Sequence, residues 1–166
     1  MLKNKILLVA VACAIILSSC SKDIPYDRKA QFTIDSGLIV NYVKDNKITD
    51  VKLKDGVFYK IVREGTVDTT PVTLNVPLAL FYTGRVLGTK QAFDSTGVQT
   101  PRVFILANVI KGWQIGVPLI KGGGEIHLFI PSTLAYINRP VGPIPANSIL
   151  EFNITLNEVN PKTQTN

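Results

Sequence analysis

ILEFNITLNEV, residues 149–159, alternates Leu150, Phe152, Ile154 and Leu156 with Glu151, Asn153, Thr155 and Asn157. Side chains on a strand point in turn to opposite faces, so the segment reads as a strand of an antiparallel sheet covered on one face. Working outward, VFYKIVR (57–63), LALFYTGRVL (78–87), 103–106 and 125–130 read as further strands, and 72–76 as another, broken at Pro77. Two stretches have helical spacing. In 32–44, Ile34, Leu38 and Tyr42 lie four apart with Ile39 and Val43 beside them. Thr33 or Asp35 would cap this helix and Asp45-Asn46-Lys47 would stop it. The second helix is expected over 109–120, ahead of the sharp stop Gly122-Gly123-Gly124, with Pro118 placed where its missing N–H costs little. About five antiparallel strands with one substantial helix on one face make an α+β fold.

The chain has 166 residues, enough for one domain plus accessory segments. With 46% hydrophobic and 18% charged residues it is globular in composition. The net charge of +6 comes from scattered Lys and Arg without a run or an Arg-rich helix, which argues against nucleic-acid binding.

At the N-terminus, Lys3 and Lys5 precede an unbroken apolar run from Ile6 to Leu17. The run is too short for a comfortable membrane span and has the dimensions of a signal-peptide core. It ends in Leu17-Ser18-Ser19-Cys20, which resembles the lipobox of bacterial lipoproteins. That resemblance implies cleavage after residue 19 and acylation of Cys20. Acyl chains contribute about 0.8 kcal/mol per buried methylene, so two or three would hold the protein on a membrane. Ser21 at the next position, rather than Asp, points to the outer membrane of a cell envelope. The organisation read from the chain is a lipoprotein signal (1–19), a tether and helix (20–55), the main domain (56–160) and a polar tail (161–166).

Most of the usual catalytic equipment is missing. Cys13 would leave with the signal and Cys20 would be lipidated, so neither a disulfide nor a cysteine metal site is expected. His127 is the single histidine and sits mid-strand with no GxSxG serine near it, so it reads as structural. The triple glycine lacks the Lys-Ser/Thr of a phosphate loop. No metal and no cofactor is expected.

What remains is a set of aromatics and one acid: Tyr82, Phe93, Asp94, Phe104, Trp113, Tyr136 and Phe152. Trp113, the only tryptophan, lies in VIKGWQIGV (109–117). A lone Trp is a large apolar surface with one N–H donor, and by itself it is read as the largest core residue. Four motifs set it in order: FYTG (81–84), AFDST (92–96), VIKGWQIGV (109–117), and IPSTLAY (130–136) followed by a proline loop and IPANSILEF (144–152).

In order and spacing these motifs resemble the FKBP-type peptidyl-prolyl isomerases, the macrolide-binding immunophilins, across residues 56–159. The resemblance implies an antiparallel half-barrel wrapped around one helix, with an apolar pocket floored by the tryptophan. It implies catalytic positions at Tyr82, Asp94, Trp113 and Tyr136. It implies substrate contacts at Phe93, Phe104, Val109, Ile110 and Phe152, with the Ile110 N–H and the Tyr136 hydroxyl bonding carbonyls. Its implied partners are proline-containing polypeptides of the envelope or secreted proteins, and macrolides as ligands.

The chain also departs from the family. Arg102 stands where an aromatic is common, so one pocket wall is expected to be charged or open. Ile137 replaces the glycine that usually follows LAY, so the turn into the proline loop must differ. These departures are the ground for an alternative function, a non-catalytic lipoprotein of the same fold that binds proline-containing segments in an envelope assembly. The N-terminal helix is expected to pack on the domain or to act as a spacer.

The anchor is testable on intact cells. Cys20→Ser is expected to shift the protein from the membrane fraction to the soluble one, and continued membrane association would count against lipidation.

Overall fold

The computed structural model describes residues 25–65 and 70–161. The signal segment, Cys20, the first residues of the tether and most of the tail lie outside the described residues. Within them the chain builds one seven-stranded sheet flanked by two helices, against about five strands expected.

The strands are β1 (Lys52–Lys54), β2 (Val57–Arg63), β3 (Pro77–Val86), β4 (Ala92–Ser95), β5 (Arg102–Ile105), β6 (Glu125–Ile130) and β7 (Leu150–Val159). All pairings are antiparallel, in the order β1-β2-β6-β7-β3-β4, with β5 also on β3. β3 and β7 pair over nearly their whole lengths, from Leu78↔Val159 to Val86↔Leu150, with one irregularity between Ala79 and Leu80. The other edge of β3 is shared. β5 takes residues 77–80 and β4 takes 83–85.

β1 escapes sequence patterning because all three of its residues are exposed. Its signal was the turn after it. Asp55 and Gly56 both have positive φ, 47° and 86°, and close a two-residue hairpin between Lys54 and Val57. The strand expected over 72–76 is not formed. Pro77 does not break a strand but opens β3, a place where a missing N–H is tolerated.

Helix α2 (Lys111–Gly116) continues into a 3-10 turn (Val117–Leu119) that holds Pro118 near its start. The helix expected as one piece over 109–120 is therefore shorter. Trp113, Val117 and Ile120 bury into one face of the sheet with Val57, Leu80, Ile126, Leu128, Ile130 and Ile154. Each such side chain contributes about 1.5–3 kcal/mol on burial. Gly112 and Gly116, one turn apart, are what let α2 come this close. A Cβ at Gly112 would sit 2.4 Å from Ile130 Cγ2, and one at Gly116 would sit 2.6 Å from Leu128 Cδ2.

Helix α1 (Arg28–Asp45) starts earlier than expected, and its cap is Asp27 rather than Thr33 or Asp35. Asp27 Oδ1 accepts from the N–H groups of Lys29 (2.9 Å) and Ala30 (3.0 Å). Lys47, at φ 54°, ends the helix, with Ile48 N–H donating to Val43 C=O at 2.9 Å. The apolar stripe expected on this helix is only partly used. Ile34 and Leu38 are more than half exposed, whereas Asp35 and Ile39 are buried. Ile39 packs with Phe129 and Ile149, and with Tyr42, Val43 and Phe58, on the sheet face opposite α2. The sheet is thus covered on both faces over part of its area. Glu151, expected on the solvent side, is buried there.

Gly112→Ala sets two effects against each other. Alanine favours helix by about 1 kcal/mol, whereas overpacking a tight core costs about 1–3 kcal/mol. Ile130 is fully buried and has little room to shift. A net loss of stability is expected, read as a lower urea midpoint at unchanged slope; a midpoint at or above wild type would show that α2 has slack against β6.

Candidate functional site

The site grows from the shared edge of β3. Tyr82 lies between the portion paired with β5 and the portion paired with β4. Thr96 fills the gap: its N–H donates to Tyr82 C=O (3.1 Å) and its hydroxyl accepts from Tyr82 N–H (3.1 Å). Asp94 arrives opposite Gly84 on β4, and Arg102 opposite Leu80 on β5. Two side chains eight positions apart in sequence therefore converge on one tyrosine.

The Tyr82 hydroxyl donates to Asp94 Oδ2. It accepts from Arg102 Nη1 at 2.8 Å, and the same nitrogen lies 3.1 Å from Asp94 Oδ1. Asp94 also takes the Ser95 N–H at 2.8 Å. Partial burial alone would raise the Asp94 pKa, but the Tyr82 hydroxyl, the Arg102 guanidinium and the Ser95 N–H outweigh it and hold the carboxyl below its usual range. Desolvation, followed by the bond to the carboxylate, pushes Tyr82 up to about 12. Of the two walls expected at Arg102, charged or open, the structure has the charged one: a three-membered polar group, ionised at Asp94 and Arg102 and protonated at Tyr82.

Beside it lies a cavity of about 240 Å³ lined by Tyr82, Phe93, Asp94, Phe104, Asn108, Val109, Ile110, Trp113, Tyr136 and Phe152. All nine pocket positions expected from the sequence border this one cavity. Asn108 is the lining residue that the motifs missed, since it falls just outside VIKGWQIGV. Trp113, Tyr82 and Phe152 are nearly fully buried, and the remaining expected positions are half-buried around them.

The rings have a definite arrangement. Tyr82, Phe104 and Phe152 stand at 80°, 70° and 84° to the Trp113 indole, with centroids 5.2–5.4 Å away. Edge-to-face contacts of this kind contribute about 0.5–1.5 kcal/mol each beyond burial. Phe93 continues the wall at 87° to Phe152. The glycine of FYTG makes room for it: a Cβ at Gly84 would fall 2.5 Å from the Phe152 ring and 2.7 Å from the Phe93 ring.

Three donors at the cavity have no hydrogen-bond partner among the described residues: the Ile110 N–H, the Tyr136 hydroxyl and the buried Trp113 Nε1. Gln114 Nε2 donates to Val109 C=O at 3.0 Å, fixing the chain where Ile110 turns into α2. Ile137 takes φ 62°, the left-handed region that a glycine would occupy freely and a β-branched residue rarely adopts. His127 is on the opposite sheet face, with Nε2 2.8 Å from Glu151 Oε1 and its ring against Phe129, so it takes no part in this cavity. Among the described residues no three His, Cys, Asp or Glu side chains are grouped to hold a metal.

Residues 70–157 match the model of the FKBP-type peptidyl-prolyl cis-trans isomerase domain. A probable FKBP-type peptidyl-prolyl cis-trans isomerase from Haemophilus influenzae is 38% identical over 122 residues, covering 73% of this chain and 48% of that one. The FKBP-type peptidyl-prolyl cis-trans isomerase FkpA of Escherichia coli K12 is 36% identical over 110 residues, 64% of this chain and 38% of that one. The chain thus spans about half or less of the length of these relatives. Among solved structures, FkpA from Escherichia coli superposes with a TM-score of 0.67 at 30% identity, covering 81% of this chain and 63% of that one. A peptidyl-prolyl cis-trans isomerase from Pseudomonas syringae gives 0.66 at 25% identity, covering 83% and 99%.

The polar group sets a test by titration. Arg102→Gln removes a cation that lowers the Asp94 pKa, so the carboxyl is expected to titrate at higher pH by carbon-detected NMR. A depressed carboxylate pKa contributes stability that is present above the unfolded value, near 3.9, and lost as pH falls through the folded value. In the variant that acid-side loss should begin at the same pH, be smaller, and be complete at higher pH; an unmoved Asp94 would mean that the guanidinium does not govern it.

Proposed function

The chain belongs to the FKBP-type peptidyl-prolyl cis-trans isomerase family, and from that premise we propose that it catalyses rotation about X-Pro bonds of polypeptides in this cavity. The observation that carries the reading is the aromatic box itself, three rings upright around the Trp113 indole with unpaired donors at its margin.

Rotation about a peptide bond costs about 18–20 kcal/mol because amide resonance is lost. Both isomers of an X-Pro bond are populated and exchange within tens to hundreds of seconds. The twisted amide is less dipolar than either planar form, so a site that takes it out of water favours the twisted form relative to the planar ones. That is differential binding of the transition state and needs neither nucleophile nor metal. Trp113, Tyr82, Phe93, Phe104 and Phe152 would receive the proline ring. The Ile110 N–H and the Tyr136 hydroxyl would bond substrate carbonyls. Asp94 would orient the polar neighbours or face the rotating carbonyl, its charge kept by Tyr82 and Arg102.

We further propose that the protein works in the cell envelope, anchored through acylated Cys20 to the outer membrane, on envelope or secreted clients. The sequence signals at 6–20 support this placement. Among the described residues no helix is long and apolar enough to cross a membrane. Macrolide binding is a secondary proposal, which the shared pocket positions support and the departures at Arg102 and Ile137 weaken.

The test is an X-Pro isomerisation assay on protein starting after Cys20. Acceleration over the uncatalysed rate is expected. Asp94→Leu and Tyr82→Phe should each lower kcat/KM about tenfold, a loss of about 1.4 kcal/mol of transition-state stabilisation. Trp113→Ala should remove most activity. Retained binding of proline peptides without acceleration would favour the non-catalytic alternative.

A pH profile gives a second check. Asp94 stays ionised well below neutrality and Tyr82 stays protonated to about 12. The activity is therefore expected to be flat between about pH 5 and 9. A bell with a limb near 6.5, where an unperturbed histidine titrates, would show that a group outside this constellation takes part.

A further inference from the structure

A buried carboxylate that the proposed reaction does not use lies on α1. Asp35 is 1% exposed and no Lys or Arg pairs with it among the described residues. Its charge is met by three donors instead. Ser132 gives its N–H (2.8 Å) and its hydroxyl (2.6 Å) to Oδ2, and Gln31 Nε2 gives 2.7 Å to Oδ1. Hydrogen bonds to an ionised acceptor are the strong kind, and a buried charge persists only where they are supplied.

Ser132 is itself a knot. It is fully buried, it opens the 3-10 turn Ser132–Leu134, and its carbonyl accepts from both Ala135 N–H (3.0 Å) and Ile137 N–H (2.8 Å). Those two amides bracket Tyr136, which borders the aromatic cavity. Ile137 is the residue held at positive φ, and its carbonyl in turn accepts from Asn147 N–H at 2.9 Å across the proline loop. A second approach runs parallel to the first: Phe32 of α1 and Leu134 of the turn both border the space beside Gly56, where a Cβ would lie 3.1 Å from Phe32 Cε2 and 3.2 Å from Leu134 Cδ1.

We propose that Asp35 is a positioning residue for the site. It clamps Ser132 from the N-terminal helix, and through Ser132 it fixes the Tyr136 segment and holds Ile137 in its costly conformation. A strained β-branched residue persists only where surrounding bonds over-determine it, and Asp35 supplies the bonds that fix Ser132 from outside the loop. The N-terminal helix is then part of the catalytic apparatus and not only a spacer between the domain and the membrane. This inference rests on the isomerase reading for its catalytic half alone.

The test compares Asp35→Ala, Asp35→Asn and a control, Leu156→Ala, in the protein starting after Cys20. Leu156 is buried in the core beneath the sheet and should lose stability without touching α1 or the loop. By amide hydrogen exchange, Asp35→Ala is expected to speed exchange at Ser132, Ala135 and Ile137 at least tenfold relative to the β7 amides. Its kcat/KM should fall about fivefold, mostly through KM, because Tyr136 would bind a carbonyl in ground and transition states alike. Asp35→Asn keeps an acceptor oxygen for Ser132 and should restore most of both readouts. Leu156→Ala should leave kcat/KM per folded molecule near wild type. Unchanged exchange at the three amides in Asp35→Ala, unchanged kcat/KM in that variant, or an equal loss in Leu156→Ala would each overturn the proposal. A wild-type protein without isomerase activity would instead remove the reading of the site, while the exchange rates decide the clamp by themselves.

Discussion

The approach of α2 to β6 is the constraint on which the site depends. Gly112 and Gly116 present bare Cα atoms to Ile130 and Leu128, and the space a Cβ would need is already filled. Only at this separation does Trp113, next to Gly112 on the helix, come within ring contact of Tyr82 on β3 and Phe152 on β7. Dispersion falls steeply with distance, so a gap of an ångström would forfeit much of these contacts. The same logic repeats at Gly84, whose missing side chain admits Phe93 and Phe152. The glycines of the two motifs are therefore packing residues: each lets an aromatic wall stand where a larger residue would displace it.

The opposite face of the sheet carries different work. There α1 lies over β2, β6 and β7, with Ile39, Phe129 and Ile149 as its fully or nearly fully buried contacts. Two polar links tie it down. One is Asp35 to Ser132; the other joins Tyr42, Glu151 and His127, with Tyr42 OH 3.4 Å from Glu151 Oε2. The single histidine thus serves the helix-facing side and stands away from the aromatic cavity. Burial of Glu151 on one face and of Leu150 and Phe152 on the other makes β7 the common wall of two unlike environments.

How much of this was legible in the sequence differs by region. The alternation in β7 was enough for a sheet strand, because period two is a strong local signal; the nine positions that border the cavity came instead from the family resemblance that the ordered motifs carry. The α1 face was misread for a physical reason. Apolar periodicity nominates Ile34 and Leu38, which are exposed, and assigns Asp35 at best to a cap. A carboxylate is buried here because Ser132, distant in the chain, brings two donors to it, and no local pattern records a partner so far away. β1 has no apolar face to read; its signal was the Asp55-Gly56 turn. Asn108 borders the cavity by adjacency to Val109 and carries no motif of its own. Arg102 was recognised as a departure, but its bridge to Tyr82 and Asp94 follows from β4 and β5 sharing one edge of β3, which is a fact of topology.

An ion pair beside an apolar pocket looks like a contradiction, and the placement of Tyr82 resolves it. Its side chain spans two media. The ring stands in the dry wall against Trp113, Phe104 and Phe152, and the residue is only 6% exposed. The hydroxyl reaches Asp94 and Arg102, whose side chains remain 42% and 54% exposed. The cost of partly desolvating the Asp94 carboxylate is therefore met by Tyr82, Arg102 and the Ser95 N–H at the half-exposed rim, while aromatic rings line the cavity beneath. In the proposed reaction this gradient matches the substrate. A proline ring enters the end that excludes water, and the amide carbonyl stays at the end where fixed donors and a compensated carboxylate replace the water it gave up. The discrimination between planar and twisted amide would then come from the depth of the pocket, and the polar group would keep its protonation state throughout the turnover.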